Sequence, residues 1–92
     1  QLLSAFPNPF GSGCRLVYEI PAPGPVSMRI TVYDVAGLRI ARLLDAPRAA
    51  GPGAVAWNGR GDDGVPTPSG TYFIRLEIPG HDAVTRRVVR TR

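Results

Sequence analysis

The stretch Thr71-Tyr72-Phe73-Ile74-Arg75-Leu76-Glu77-Ile78 decides the fold, because large apolar side chains occupy every second position along it. The same period of two recurs in Arg15–Ile20 and in Ser27–Val32. This period is typical of a β-strand that turns one face to the core and the other to solvent. Weaker forms of the pattern at residues 55–57 and 84–89 predict two further strands.

Turn-forming residues separate the alternating stretches. The segment Pro21-Ala22-Pro23-Gly24-Pro25 excludes both a helix and a strand ladder. Asp34-Val35-Ala36-Gly37 has Asp first and Gly fourth, which predicts a type I turn that closes a hairpin. Pro79-Gly80 predicts a type II turn. Short strands joined by such turns are typical of an antiparallel β-sandwich, here of about seven strands.

The strand pattern does not by itself decide the structure of two stretches. The apolar residues of the stretch 38–50 have helical spacing. Gly37 before this stretch and Pro47 inside it favour instead a strand that ends near Leu44. In the last strand, the adjacent apolar pair Val88-Val89 obscures the register, which predicts a β-bulge there.

The length and charge of the chain bound its function. Ninety-two residues make one domain, residues 1–92, with room for a single small core. The net charge is +4, and all eleven basic residues are arginine, which excludes lysine-dependent chemistry such as a P-loop or a Schiff base. The arginines are spread from Arg15 to Arg92, whereas nucleic-acid binding uses a concentrated basic face, so we expect no nucleic-acid partner.

No apolar run approaches the ~18 residues of a membrane-spanning segment. Because the chain begins at Gln1, we expect a processed product or a fragment.

Candidate catalytic residues are few. His81 is the single histidine and Cys14 the single cysteine, so an intramolecular disulfide is excluded. Nucleophilic catalysis needs a base positioned beside the nucleophile in a cleft, and no motif arranges Cys14, His81 and Asp82 in that way. We therefore expect a domain that is not an enzyme and needs no cofactor, with Cys14 as a small core or edge residue.

The most polar segment, Asn58–Gly64, leaves two interpretations open. Asn58, Asp62 and Asp63 carry oxygen atoms of the kind that bind Ca²⁺, but the segment lacks the spacing of an EF-hand. We favour a tight surface turn in which these side chains accept hydrogen bonds from backbone N–H groups. The segment also contains Arg60-Gly61-Asp62, a tripeptide that binds integrins when it is displayed at a loop tip. A glycine-rich turn that begins with Arg is the plainer explanation.

An ordered set of motifs runs through the chain from Phe6 to Arg90. The set consists of Phe6-Pro7-Asn8-Pro9-Phe10, Ile30–Gly37, Gly53–Arg60, Gly64-Val65-Pro66, Ser69–Phe73 and Arg86–Arg90. In this order the motifs resemble the C-terminal sorting domains of the type IX secretion system, which are similar in turn to the Ig-like domain of the flagellar hook-capping protein FlgD. The resemblance implies a small all-β sandwich of the immunoglobulin or fibronectin type without catalytic activity. It also implies protein partners in the secretion machinery and a location outside the cell or on the bacterial surface.

The resemblance further implies roles for single residues. Pro7, Asn8 and Pro9 would clamp the N-terminal edge, and Phe10 would plug one end of the sandwich. The remaining structural positions are the hairpin residues Asp34 and Gly37, the core residues Trp57 and Tyr72, and Gly70, which would permit a close approach at the start of a strand. The last strand and the basic tail would form a recognition element that includes Arg86, Arg87, Val88, Val89 and Arg90.

Three functions are compatible with these features. A sorting or anchoring module of a larger secreted protein is the first hypothesis. The alternative is a structural subunit or repeated domain of an extracellular filament or appendage that assembles through edge-strand contacts. In it, Gln1, Leu2 and Leu3 form a free strand that is donated to a neighbouring copy. Carbohydrate binding ranks third, because we expect Trp57 in the core rather than on an exposed stacking platform.

Overall fold

Seven strands form the regular structure of residues 2–91, the part of the chain that the computed structural model describes, with side chains from residue 3 onward. They are β1 (Leu2–Phe6), β2 (Cys14–Ile20), β3 (Val26–Tyr33), β4 (Arg39–Arg48), β5 (Gly51–Trp57), β6 (Gly70–Glu77) and β7 (Val84–Arg90). Residues 2–91 contain no helix, and therefore no helix that could span a membrane. The predicted all-β class is confirmed.

The strands form two antiparallel sheets that enclose the core. The three-stranded sheet has the order β1-β2-β5, and the four-stranded sheet has the order β4-β3-β6-β7. Alternate residues of β2, β3 and β6 are buried, as the period of two predicts. Because both sheets contribute these residues to one cluster, the described residues 2–91 form a seven-stranded sandwich, as predicted.

Trp57 is the largest side chain of the core. Its ring centre lies 5.3 Å from that of Phe10 and 5.3 Å from that of Tyr72, and the ring of Tyr72 meets it edge-on. The indole Nε1–H donates to the carbonyl of Arg60 at 2.9 Å, and the hydroxyl of Tyr72 donates to the carbonyl of Pro68 at 2.6 Å. Phe10 therefore closes one end of the core, and Trp57 faces Tyr72, as the resemblance implies.

Both predicted turns are present. The N–H of Gly37 donates to the carbonyl of Asp34 at 3.0 Å, and Gly37 has a φ of 85°. The side chain of Asp34 accepts from the N–H groups of Ala36 and Leu38, which holds the hairpin between β3 and β4. The Pro79-Gly80 turn follows β6 with a glycine φ of 83°, the value that a type II turn requires.

The stretch 38–50 forms a strand, as favoured, but β4 continues through Pro47 to Arg48, beyond the end that the sequence predicts. Proline is tolerated there because β4 is an edge strand, so no strand on its outer side requires a backbone N–H from position 47. Two register shifts against β3 leave Leu43 and Ile40 as extra residues. These bulges interrupt the period of two, and the interruption produces the apparent helical spacing.

Two predictions at the chain ends are wrong. β7 pairs with β6 in an unbroken register, so the bulge expected at Val88-Val89 does not form. The apolar start of the chain is not a free extension, because β1 pairs with β2 from Leu2 to Phe6 and Leu3 is fully buried. Gln1 lies outside the described residues.

Gly70 begins β6 for a reason other than the expected one. A Cβ at Gly70 would have no atom within 4 Å, so no close approach requires glycine there. Its φ is 150°, which lies in the region that favours glycine. The backbone conformation at the strand start, rather than packing, therefore selects this residue.

Candidate interaction surface

The Pro7–Phe10 segment covers the outer edge of β7. The side-chain amide of Asn8 donates to the carbonyl of Arg87 at 3.1 Å, and its oxygen accepts from the N–H of Val89 at 2.9 Å. The backbone of Phe10 extends this pairing to Val89 and Thr91 at 2.9 and 2.7 Å. The segment therefore clamps the last strand rather than an N-terminal edge, and Asn8 takes the place of a neighbouring strand.

Arg90, at the end of β7, ties three loops together. Its Nε donates to the carbonyl of Gly11 at 3.1 Å. Its Nη1 lies 2.6 Å from the carbonyl oxygens of Gly59 and Thr67 and 2.9 Å from the Thr67 hydroxyl. Gly59 has a φ of 76°, and a Cβ there would lie 2.9 Å from the guanidinium carbon, so the backbone conformation and the packing of Arg90 both favour glycine. Arg90 is thus a structural residue of the domain and is not free for recognition.

Most of the predicted recognition element is used inside the domain. Val88 is fully buried, and Val89 is half-buried and bonds through its backbone to Asn8 and Phe10. The guanidinium of Arg86 donates to the carbonyl of Leu3 at 2.9 Å and so links β7 to β1. Of the five residues from 86 to 90, only Arg87 presents an exposed side chain without a polar partner among the described residues.

Asp62 covers the outer edge of β4 in the way that Asn8 covers β7. Its N–H donates to the carbonyl of Ile40 at 2.9 Å, and its Oδ1 accepts from the N–H of Arg42 at 2.9 Å. Its second oxygen lies 3.3 Å from the guanidinium of Arg39. Both outer edges of the four-stranded sheet are therefore bonded by one Asn or Asp that imitates a paired strand. The sequence offers no signal for either contact, because each joins distant parts of the chain.

The polar loop after β5 is a turn held by its own side chains. Asn58 accepts from the N–H of Arg60 at 3.0 Å, and Asp63 accepts from the N–H of Val65 at 2.9 Å. The turn interpretation is thereby confirmed, and residues 2–91 hold no group of three or more acidic, histidine or cysteine side chains arranged for a metal ion. Arg60 bonds the carbonyl of Gly64 at 2.8 Å, so the Arg60-Gly61-Asp62 tripeptide is folded into the turn at both ends.

The outer face of the four-stranded sheet carries both aromatic and cationic side chains. Tyr33 and Phe73 lie directly opposite each other on β3 and β6, and both are half-buried. Arg87 lies opposite Phe73 on β7. The exposed guanidinium at this position therefore borders an aromatic pair.

The nucleophile and the base considered from the sequence lie apart. Cys14 is buried opposite Trp57, and burial raises the pKa of its thiol to about 11. Trp57 contacts Tyr72 near the start of β6, whereas His81 is exposed beyond the end of that strand. Cys14 and His81 therefore occupy opposite ends of the sandwich.

Solved structures share this fold. A chain of PorZ, described as an essential bacterial surface component of the type-IX secretion system of Porphyromonas gingivalis, matches with a TM-score of 0.66 and 22% identity over 98% of this chain and 11% of the PorZ chain. Dimeric latent PorU from Porphyromonas gingivalis matches with a TM-score of 0.80 and 18% identity over 97% of this chain and 9% of the PorU chain. This chain therefore spans about a tenth of the length of each neighbour.

Sequence comparison places the chain in a family. No curated protein sequence matches it. A family model for the FlgD Ig-like domain matches residues 10–79, which extends from the Phe10 plug to the turn after β6. Since this match covers well over half of the ninety-two residues, the chain belongs to the FlgD Ig-like domain family.

Proposed function

We propose that this chain is a non-catalytic sorting or anchoring module that directs a larger secreted protein through the bacterial outer membrane to the cell surface. The observation that carries the proposal is the fold match to PorZ, a surface component of the type-IX secretion system, over almost all of this chain but only 11% of PorZ. A domain of this kind thus occurs as a small module within a much longer secretion-related chain. The ordered motifs from Phe6 to Arg90 support the same role.

The chemistry of the described residues supports a role in binding rather than catalysis. The thiol of Cys14 is buried with a raised pKa, which suppresses the thiolate that nucleophilic attack needs. In the Asn58–Gly64 segment, Asn58 and Asp63 hold their own turn and Asp62 bonds to the edge of β4. The partners of such a module are proteins of the secretion machinery, and its place of action is the outside of the cell.

The covered edges bear on how the partners are recognised. A sandwich that polymerises or docks by strand addition needs an open edge strand. Asn8 and Phe10 occupy the edge of β7, and Asp62 occupies part of the edge of β4. A filament built through the edges of the four-stranded sheet therefore has less support than the sorting module, and recognition through exposed side chains such as Arg87 fits this sheet better.

A reporter fusion tests the proposal. Residues 1–92 are fused to the C-terminus of an inert periplasmic reporter in a bacterium that has a type IX secretion system, and the reporter is measured outside the outer membrane. The proposal expects export of the fusion, a strong reduction with Arg87→Glu, and no reduction with Arg15→Glu, which places the same charge change on the other sheet. A fusion that accumulates folded in the periplasm would refute the sorting role. If the fusion with Arg87→Glu is still exported, the role of Arg87 in recognition is refuted but the sorting role is not.

A further inference from the structure

Three arginines surround a buried threonine on the outer face of the four-stranded sheet. Thr31 on β3 lies opposite Arg42 on β4 and opposite Arg75 on β6, and Arg29 lies two positions away on the same face of β3. We call these four residues the arginine face. Thr31 has 0% exposure although it points away from the core, because the long side chains beside it cover it. Its hydroxyl and the Nε of Arg42 are buried without a hydrogen-bond partner in the described part of the chain.

The positive charge of the arginine face is incompletely neutralised. The carboxylate of Asp45 lies 3.8 Å from Arg29 and 3.3 Å from Arg42, so one carboxylate serves two guanidinium groups. Glu77 lies 3.5 Å from Arg75. These separations exceed the roughly 2.7–2.9 Å of a close charged hydrogen bond. The side chains of Arg29 and Arg75 are also about half exposed, so their remaining N–H donors are available to a partner.

A groove borders the arginine face on one side. It has a volume of about 360 Å³ and runs between Arg29 and Arg75 on the sheet and the turn Ile78–His81 beyond β6. Pro79 and Ala83 are the exposed apolar residues of its lining. The site therefore combines cationic donors with apolar atoms, which suits a peptide segment that carries acidic side chains.

We propose that the arginine face and its groove bind an acidic segment of a partner protein in an extended conformation. Arg29 lies opposite Glu77, and Arg75 lies two residues from Glu77, so Arg29 and Arg75 are diagonal neighbours roughly 7–8 Å apart. Side chains on one side of an extended peptide recur about every 6.8 Å. Two carboxylates at alternate peptide positions can therefore reach both arginines at once, and guanidinium groups bind carboxylates in a two-pronged geometry.

The carboxylates within the site select a peptide over a continuous polyanion. Asp45 and Glu77 stand among the arginines, and a nucleic acid or sulfated glycan would bring closely spaced negative charges against both. A peptide can place its carboxylates at Arg29 and Arg75 and neutral residues between them. This inference does not depend on the secretion role, because it concerns binding by the isolated domain.

Fluorescence anisotropy with a labelled probe peptide tests the inference. The probe is a seven-residue peptide with glutamate at positions two, four and six, and the control peptide has glutamine at those positions. We expect saturable binding of the glutamate peptide that weakens with salt, with affinity reduced about tenfold by Arg75→Gln or Arg29→Gln. Arg15→Gln, which removes the same charge from the three-stranded sheet, should leave the affinity unchanged.

The affinities of the variants and the NMR shifts together distinguish specific peptide binding from unspecific charge attraction. Backbone amide shifts in NMR spectra that centre on Thr31 and Arg75 would support the inference together with the affinity losses. Equal losses in Arg15→Gln and Arg75→Gln would overturn it in favour of unspecific charge attraction. Absence of glutamate-peptide binding would also overturn it, as would a sulfated dextran that binds more tightly than the peptide and competes for the same residues. Unfolding is monitored in parallel by fluorescence, and Arg29→Gln provides the second test if one variant fails to fold.

Discussion

Replacement of Arg90 by alanine should destabilise the domain more than any other single change in its basic tail. The guanidinium donates to the carbonyls of Gly11, Gly59 and Thr67 and reaches the Thr67 hydroxyl. Hydrogen bonds to a charged group contribute about 1.5–3 kcal/mol each, and partial exposure places these at the lower end or below. Three carbonyl contacts at about 1 kcal/mol each lead us to expect a loss of about 3 kcal/mol. This is a large share of the roughly 5–15 kcal/mol that a domain has.

Urea unfolding followed by the fluorescence of Trp57 measures this loss, because that indole is buried in the folded core. The Tm should fall by roughly 12–24 °C, since a domain of this size loses about 4–8 °C for each kcal/mol. Arg87→Ala is the matched control, because its side chain is exposed and its expected effect is within about 0.5 kcal/mol. If Arg90→Ala stays within about 1 kcal/mol of Arg87→Ala, the structural role assigned to Arg90 is refuted.

Three further predictions follow from the packing. Alkylation of Cys14 at pH 8 should be about 100-fold slower in the folded domain than in urea, because the raised pKa of the thiol leaves little thiolate. The free energy of unfolding should be constant below pH 9 and fall as the pH rises towards 11, because the folded domain disfavours the thiolate. Rapid alkylation of the folded protein would contradict both statements. Gly53→Ala should reduce the free energy of unfolding by about 1–3 kcal/mol, because the new methyl group overlaps the ring of Tyr18, and an unchanged urea midpoint would show that the ring moves freely. The double variant Asn8→Ala with Asp62→Ala should lose about 2 kcal/mol and self-associate at high concentration in light scattering, whereas a stable monomer would show that these side chains do not protect the strand edges.

The parts of the fold that could be predicted depend on local sequence patterns. The strands β2, β3 and β6 are visible because one face of each is buried and the period of two is intact. The turns at Asp34–Gly37 and Pro79-Gly80 are visible because their residues have the conformations that those turns need. β5 is only partly recognisable from the sequence, because Gly51–Ala54 consists of small residues and proline. This edge strand buries few side chains, so the period of two is weak there.

The parts that could not be predicted depend on contacts between distant residues. Asn8 and Val89 bond across almost the whole chain, and Arg90 meets carbonyl groups that no side-chain pattern reveals. The tail residues therefore have the appearance of an exposed recognition element in sequence, although Arg90 serves the interior of the domain. Leu3 shows the same limit, because a short apolar end is compatible with both a free strand and a paired one.

The sorting role that we propose for this domain is to direct a larger protein to the bacterial surface. It is tested most directly by the surface fraction of one reporter, fused either to residues 1–92 or to a flexible linker of equal length, in a wild-type strain and in a strain that lacks a working type IX secretion system. Surface reporter is expected only for the domain fusion in the wild-type strain. Equal surface fractions for the two fusions, or for the two strains, would contradict it.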